Sequence, residues 1–369
     1  MALLLDINFI ISSELCIPLY WRPPVEFERL SEAPLTELLR RCDAITEDES
    51  PETRTLLQAY RNVLLCHESP NTRNAYRRDL DWFVGLYCEY HDRGEMDVLL
   101  NLHRLVTRSK AIWYRDIMRS VTGAWGKPLA DATISRRLAV MSTVFREFHR
   151  SGLIQSNPFK GLTVGYRCDP TPALSNEDRQ KLVRAPDYLN AETIDDRQRL
   201  LRDRILLILL FVHGIRREEA RLVKASDIGE SQGHPVLSVR QKGGNTILHR
   251  LHPKLAEYIE LYRSEFMSDP DGYLFTGLSN NGRGSPDKPI SPQAINWIVK
   301  HYAKKVGITQ RISPHVGRAT VITLALQGGA PLQVVSHAIG HASIETTARY
   351  DRSRNRMDQA VMLFQDCEL

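Results

Sequence analysis

The regular spacing of apolar residues breaks off between Gly161 and Pro172, and that break constrains the fold more than any single motif does. Gly161, Gly165, Pro170 and Pro172 crowd one short stretch. Glycine raises the entropic cost of ordering the backbone, and proline removes an N–H donor, so neither sustains a helix. Helical patterns resume on both sides. A linker over 161–174 therefore separates two packed units. The length of 369 residues agrees, being more than one ordinary core absorbs.

Before the break, residues 1–45 form an extension without a readable register, punctuated by Pro18, Pro23, Pro24 and Pro34. Residues 46–160 then read as a small all-helical unit. Leu56, Leu57, Tyr60, Leu64 and Leu65 share one helical face. Ser69-Pro70-Asn71-Thr72 starts a second helix with the stripe Tyr76, Leu80, Phe83, Val84 and Tyr87, and Arg73, Arg77 and Arg78 lie off that stripe. Helical stretches over Thr107 to Val121 and Asp131 to Arg150 complete the unit.

After the break, residues 175–354 are mostly helical with one change of period. Helices are expected over Ser175 to Arg184, Arg197 to His213 and Arg216 to Lys224, with Gly214 stopping the middle one. Val236 to Arg240 and Thr246 to Leu251 alternate as strands, and Gly243-Gly244-Asn245 supplies the turn, so Lys242 belongs at a hairpin tip. Helices over Pro292 to Val306, Arg318 to Gln327 and Pro331 to Ile339 follow, then one carrying Tyr350. In the tail, residues 355–369, Met357, Ala360, Val361 and Phe364 have helical spacing, which suits packing on the same domain or docking on a neighbouring subunit. The fold class is mainly α, with a small antiparallel sheet in the second unit.

Composition excludes several classes. With 42% hydrophobic and 25% charged residues the chain is neither disordered nor fibrous. Its longest apolar run, Ile205 to Val212, falls far short of the roughly 20 residues that span a bilayer. Met1 to Ile11 carries Asp6 within its apolar run and no preceding basic residue, unlike a secretory signal. The cysteines Cys16, Cys42, Cys66, Cys88, Cys168 and Cys367 form no C-x-x-C pair, which points to a reduced cytoplasmic setting without a zinc site. A net charge of +5 permits nucleic-acid binding without requiring it.

Particular residues carry more chemistry than the bulk numbers do. Arg216 follows the helix stop at Gly214, and His315 and Arg318 share a face at i, i+3 after Ser313-Pro314. Two guanidiniums can clamp one phosphate, an imidazole can move a phenol's proton, and a flexible lysine such as Lys242 can protonate a leaving oxygen. His341 follows Gly340, and Tyr350 stands nine residues beyond it as a potential nucleophile. Each of these residue types is by itself most often a surface or packing residue; their order along the chain is what points to phosphodiester chemistry.

That order resembles the tyrosine recombinase, or phage integrase, family. The resemblance rests on Gly214-Ile215-Arg216-Arg217-Glu218-Glu219, the hairpin Lys242, His315-Val316-Gly317-Arg318, Ile339-Gly340-His341 and Tyr350. It implies an active site of Arg216, Lys242, His315, Arg318, His341 and Tyr350, with Glu219 orienting Arg216 or His315 from behind. It also implies a SAM-like helical core-binding domain, opened by the segment from Asn71 to Leu80 and closed by the helix from Ser135 to Phe148, ahead of the catalytic domain. Gly317 departs from the family's usual leucine, and Ala319 from a frequent histidine. The implied partners are double-stranded DNA and further copies of the chain in a tetrameric synapse, with accessory DNA-bending or directionality proteins as a further possibility and no cofactor. Arg73, Arg77, Arg78, Arg136 and Arg137 are candidate DNA contacts.

Two rival functions fit the same residues: a type IB topoisomerase that relaxes supercoils, and a non-catalytic DNA-binding regulator. His337 and His341 have a zinc-compatible spacing but lack the glutamate of H-E-x-x-H, so no metal is expected. His249 and His252 are expected at the surface or on DNA backbone.

Overall fold

The computed structural model describes residues 33–121, 128–165, 171–241, 244, 246–267, 269, 271–278, 284–341 and 343–351. The chain divides into two compact units, Met1–Cys168 and Asp169–Leu369. Each has its own apolar core.

The first unit is helical: α1 (Ala33–Asp43), α2 (Pro51–Leu64), α3 (Pro70–His91), α4 (Glu95–Leu105), α5 (Arg108–Ser120) and α6 (Asp131–Arg150). Local chemistry sets several starts. Ser50 caps α2 by accepting from the Thr53 N–H, with Pro51 in the first turn, and Thr107 caps α5 through the Lys110 N–H. The apolar stripes of α2, α3, α5 and α6 meet in an aromatic cluster, where Tyr60 stands edge-on to Phe148 at 5.2 Å and Phe83 to Tyr114 at 4.6 Å. Helix α1 falls inside the segment expected to lack a register; Leu38 and Cys42 sit in the core against α2 and α4. Leu35, Leu38, Leu39 and Cys42 in fact stand at helical spacing on one face. Leu162 and Val164, expected in the linker, also join this core.

The second unit runs α7 (Asn176–Arg184), α8 (Ile194–Phe211), α9 (Arg217–Arg221), β1 (Ile228–Ser231), β2 (His234–Arg240), β3 (Thr246–Arg250), α10 (Pro253–Phe266), β4 (Thr276–Leu278), β5 (Gly284–Pro289), α11 (Pro292–Lys305), α12 (Pro314–Gln327), α13 (Leu332–Ile339) and α14 (Ile344–Ala348). The expected hairpin is the β2–β3 pair, registered from Val236 against Arg250 to Arg240 against Thr246. It belongs to an antiparallel sheet of order β1-β2-β3, and β4 pairs with β5 separately. Helix α8 begins three residues earlier than the apolar pattern implied, because Thr193 and Asp196 form a reciprocal capping box. It is the central element, with Ile205 to Leu207 and Leu209 to Phe211 fully buried. Lys242 and residues 355–369 lie outside the described residues.

Candidate active site

Three chain breaks build the site, and each depends on local backbone chemistry. The first follows α8, where Gly214 adopts φ 66° and turns the chain, Ile215 buries completely, and Arg216 emerges as the residue capping α9. A side chain at Gly214 would meet Ile339 Cδ1 at 2.9 Å in addition to the strained φ. The second is the start of α12, where Pro314 opens the helix and places His315 and Arg318 in its first turns. The third is the end of α13. Gly340, at φ 71°, closes a Schellman motif in which the His341 N–H donates to the Ser336 carbonyl at 3.0 Å and the Gly340 N–H to His337 at 2.9 Å.

The two arginines converge on that last turn. Arg318 donates from Nη1 to the Gly214 carbonyl at 2.8 Å and from Nη2 to the Ile339 carbonyl at 2.6 Å. Arg216 donates from Nη2 to the Gly340 carbonyl at 2.9 Å and from Nη1 to Glu219 Oε1 at 2.6 Å. The other oxygen of Glu219 accepts the Arg216 backbone N–H at 2.9 Å. Glu219 thus grips Arg216 at both ends. Each guanidinium commits two of its five N–H groups to these partners, leaving the remainder for an anion.

Gly317 explains how Arg318 reaches Gly214. A Cβ at 317 would lie 2.7 Å from the Leu210 carbonyl oxygen, so only glycine lets α12 press this closely onto the end of α8. The leucine usual in the resembled family cannot fit here without shifting α12.

The imidazoles stand in a positive setting. His341 is pushed down to about 4 by burial and then by Arg318, Arg216 and His315. His315 stands exposed on the rim, yet the surrounding protein and the charges of Arg318 and Arg216 hold it below its ordinary range. Arg318, only 3% exposed, is drawn down to about 10 by burial and by Arg216, against the opposing pull of Glu219 and Tyr350, and so stays charged at neutral pH. The Tyr350 ring lies nearly parallel to that of His341, with centroids 6.5 Å apart, and packs on the small cluster of Ile322, Val335 and Ile339. Arg216, His315 and Arg318 line a cavity of about 450 Å³ with Asn296 and Ser313. Arg216 also borders a second cavity of about 750 Å³ under the β2–β3 hairpin.

The structure therefore brings Arg216, Glu219, His315, Arg318, His341 and Tyr350 together. The Gln241 side chain, just past β2, packs against Gly340. Other partners were not apparent from sequence: the carbonyls of Gly214, Ile339 and Gly340, and Thr347, whose hydroxyl lies 2.7 Å from His341 Nδ1. His249 was expected at the surface or on DNA backbone. It is partly buried on β3 and held below its usual range by burial, with Glu219 and Arg318 as electrostatic neighbours. His252 caps α10 by accepting the Lys254 N–H. Among the described residues no group of three His, Cys, Asp or Glu could hold a metal, and no helix is long and apolar enough to cross a membrane.

The basic residues of the first unit differ in their freedom. Arg137 lies over the Trp82 ring at 3.6 Å beside Asp79, and Arg136 also bonds Asp79. Arg137 thus packs inside the unit, unlike an arginine free for DNA, because α3 and α6 need its charge to offset the buried carboxylate. Arg73 and Arg77 donate to the carbonyls of His67 and Leu64, which close the preceding helix and turn. Arg78 and Arg136 are exposed.

The phage integrase family model matches residues 174–357, which takes in every described group of the cluster. A tyrosine recombinase of Synechococcus elongatus is 28% identical over 294 residues, covering 78% of this chain and 86% of that protein. The tyrosine recombinase XerC of Pelotomaculum thermopropionicum is 29% identical over 289 residues, covering 76% and 87%. This chain belongs to the tyrosine recombinase family. Members of that family are site-specific recombinases. Its fold is shared with XerH recombinase in a post-cleavage complex with palindromic difH substrate, at TM-score 0.60 and 17% identity over 92% of this chain and 98% of that one. It is shared too with a lambda integrase dimer bound to a COC′ core site, at TM-score 0.57 and 16% identity over 82% and 96%. For this recombinase the likeness to those two structures is one of fold.

Proposed function

We propose that this recombinase cuts and rejoins DNA at a specific site through Tyr350. The carrying observation is the convergence of Arg216 and Arg318 on the turn before His341, with the Glu219 carboxylate on Arg216 and two neutral imidazoles beside them. Such a cluster has an excess of positive charge held in fixed positions, which is what the oxygens of a phosphodiester require as charge builds in the transition state. The phenol oxygen of Tyr350 attacks the phosphorus, and the bond to the 5′ oxygen breaks. His315 takes the phenol proton; Lys242 supplies a proton to the departing oxygen. A 3′-phosphotyrosyl link and a 5′ hydroxyl result, and attack by a partner strand's hydroxyl reverses the steps. The bond energy stays in the phosphotyrosine, so the exchange needs no nucleotide.

Strand exchange joins two duplexes, so the working unit is an assembly of several copies on DNA, a tetramer in its simplest symmetric form. Exposed Arg78 and Arg136 in the first unit and exposed Lys300 and Lys304 on α11 supply phosphate contacts, and binding weakens as salt rises. Accessory DNA-bending or directionality proteins would act on that assembly.

The test is a comparison of Tyr350→Phe with the wild type on supercoiled DNA from the element that carries the gene. The variant is expected to bind the DNA and form no covalent adduct. Efficient relaxation of any plasmid regardless of sequence would instead make the chain a topoisomerase, and an unchanged phenotype for Tyr350→Phe would make it a non-catalytic binder.

A further inference from the structure

Thr347 is fully buried on the short helix α14, and its side chain makes one hydrogen bond among the described residues, the 2.7 Å contact to His341 Nδ1. Three other helical threonines return their hydroxyl proton to the carbonyl one turn back: Thr55 to Pro51 at 2.9 Å, Thr143 to Ala139 at 3.0 Å and Thr320 to Val316 at 2.8 Å. Thr347 has no such bond, and a buried hydroxyl proton left without an acceptor is costly. Its acceptor is therefore the lone pair of Nδ1. We infer that Thr347 is a positioning residue whose hydroxyl donates to His341 Nδ1 and so fixes the imidazole as its Nε2–H tautomer, a donor toward a phosphate oxygen.

The alternative tautomer would place the proton on Nδ1 and present a lone pair on Nε2, which repels a phosphate oxygen. Burial and the neighbouring guanidiniums keep the ring neutral, so the choice between the two tautomers is a real one. Nδ1 is engaged by α14, and Tyr350 leaves that same helix, since its N–H donates to the Thr347 carbonyl at 3.0 Å. One residue thus ties the orientation of the imidazole to the segment that carries the phenol. This inference rests on the proposed role of His341 at the phosphate.

The experiment has two arms, both on the full chain. Long-range proton–nitrogen correlation of histidine-labelled protein, assigned with His341→Gln, reads which nitrogen of His341 is protonated. Wild type and Thr347→Ser are expected to show Nε2 protonated; an Nδ1 proton in the wild type overturns the inference. In the second arm the rate of adduct formation is measured on a nicked duplex spanning the mapped cleavage position. Thr347→Val is expected to slow it by about 10-fold, with Thr347→Ser near wild type. In a His341→Ala background Thr347→Val is expected to add nothing, and equal slowing in both backgrounds overturns the inference in favour of simple packing. If the wild type forms no adduct, the recombinase reading falls, and the spectrum still decides the tautomer.

Discussion

At the residue scale the site is defined by which groups stay charged. Arg318 remains a cation despite its burial, while His315 and His341 are held below the usual imidazole range and are neutral at pH 7. A neutral His315 can accept the phenol proton, so the acid limb of single-turnover cleavage is expected below pH 6.5, and His315→Ala should remove that limb. A limb at or above that value would contradict the role. Stability follows the same sign. The folded state holds His341 at about 4 and the unfolded chain near the ordinary imidazole value of 6.5, so the unfolded state binds more protons between those values. The urea midpoint should therefore fall between pH 7 and pH 5, less so in His341→Gln. The arginines, imidazoles and tyrosine were legible because side-chain type and order identify them. The carbonyls of Gly214, Ile339 and Gly340 were not, since a backbone acceptor leaves no mark in the sequence. Thr347 was hidden for a related reason: only the fold of α14 brings it to His341.

Elements position these residues through a few tight contacts. The expected helix from Arg216 to Lys224 is in fact the short α9, because Lys224 turns away through its N–H to Asp227 at 2.8 Å. Helix α12 starts at Pro314, as the shared face of His315 and Arg318 after Ser313-Pro314 requires, and four residues ahead of the helical stretch expected from Arg318. Proline's fitness for the first turn was the available signal, and the apolar pattern concealed it because α12 is buried almost all round. Close packing at Gly317 is the feature no pattern announces. Gly317→Ala should destabilise the second unit by about 1–3 kcal/mol, read by chemical denaturation, because its Cβ would clash with the Leu210 carbonyl. It should also slow cleavage, as Arg318 loses register with Gly214. Unchanged stability would mean that α12 is not held this close to α8.

At the scale of the whole molecule, two cores predict two unfolding events. Asp79, 3% exposed and clasped by Arg136 and Arg137, joins α3 to α6 in the first unit. Asp79→Ala leaves those cations unpaired and should cost about 3 kcal/mol in the first transition alone, whereas Gly317→Ala should lower only the second. Calorimetry of the full chain reads both, and a joint shift would contradict separate cores. The division was legible from the glycines and prolines between 161 and 172, but its edges were not. Leu162 and Val164 pack into the first core through contacts distant in sequence, which local periodicity cannot register, whereas helix α1 does carry a local face in Leu35, Leu38, Leu39 and Cys42. All of this serves one reaction, and the most direct test is to identify the amino acid that becomes linked to DNA. After trapping and proteolysis, mass spectrometry should find the 3′ phosphate on the peptide containing Tyr350, with a 5′ hydroxyl on the other strand end. A nucleotide on any other residue, or a 5′-phosphate linkage, would contradict the account.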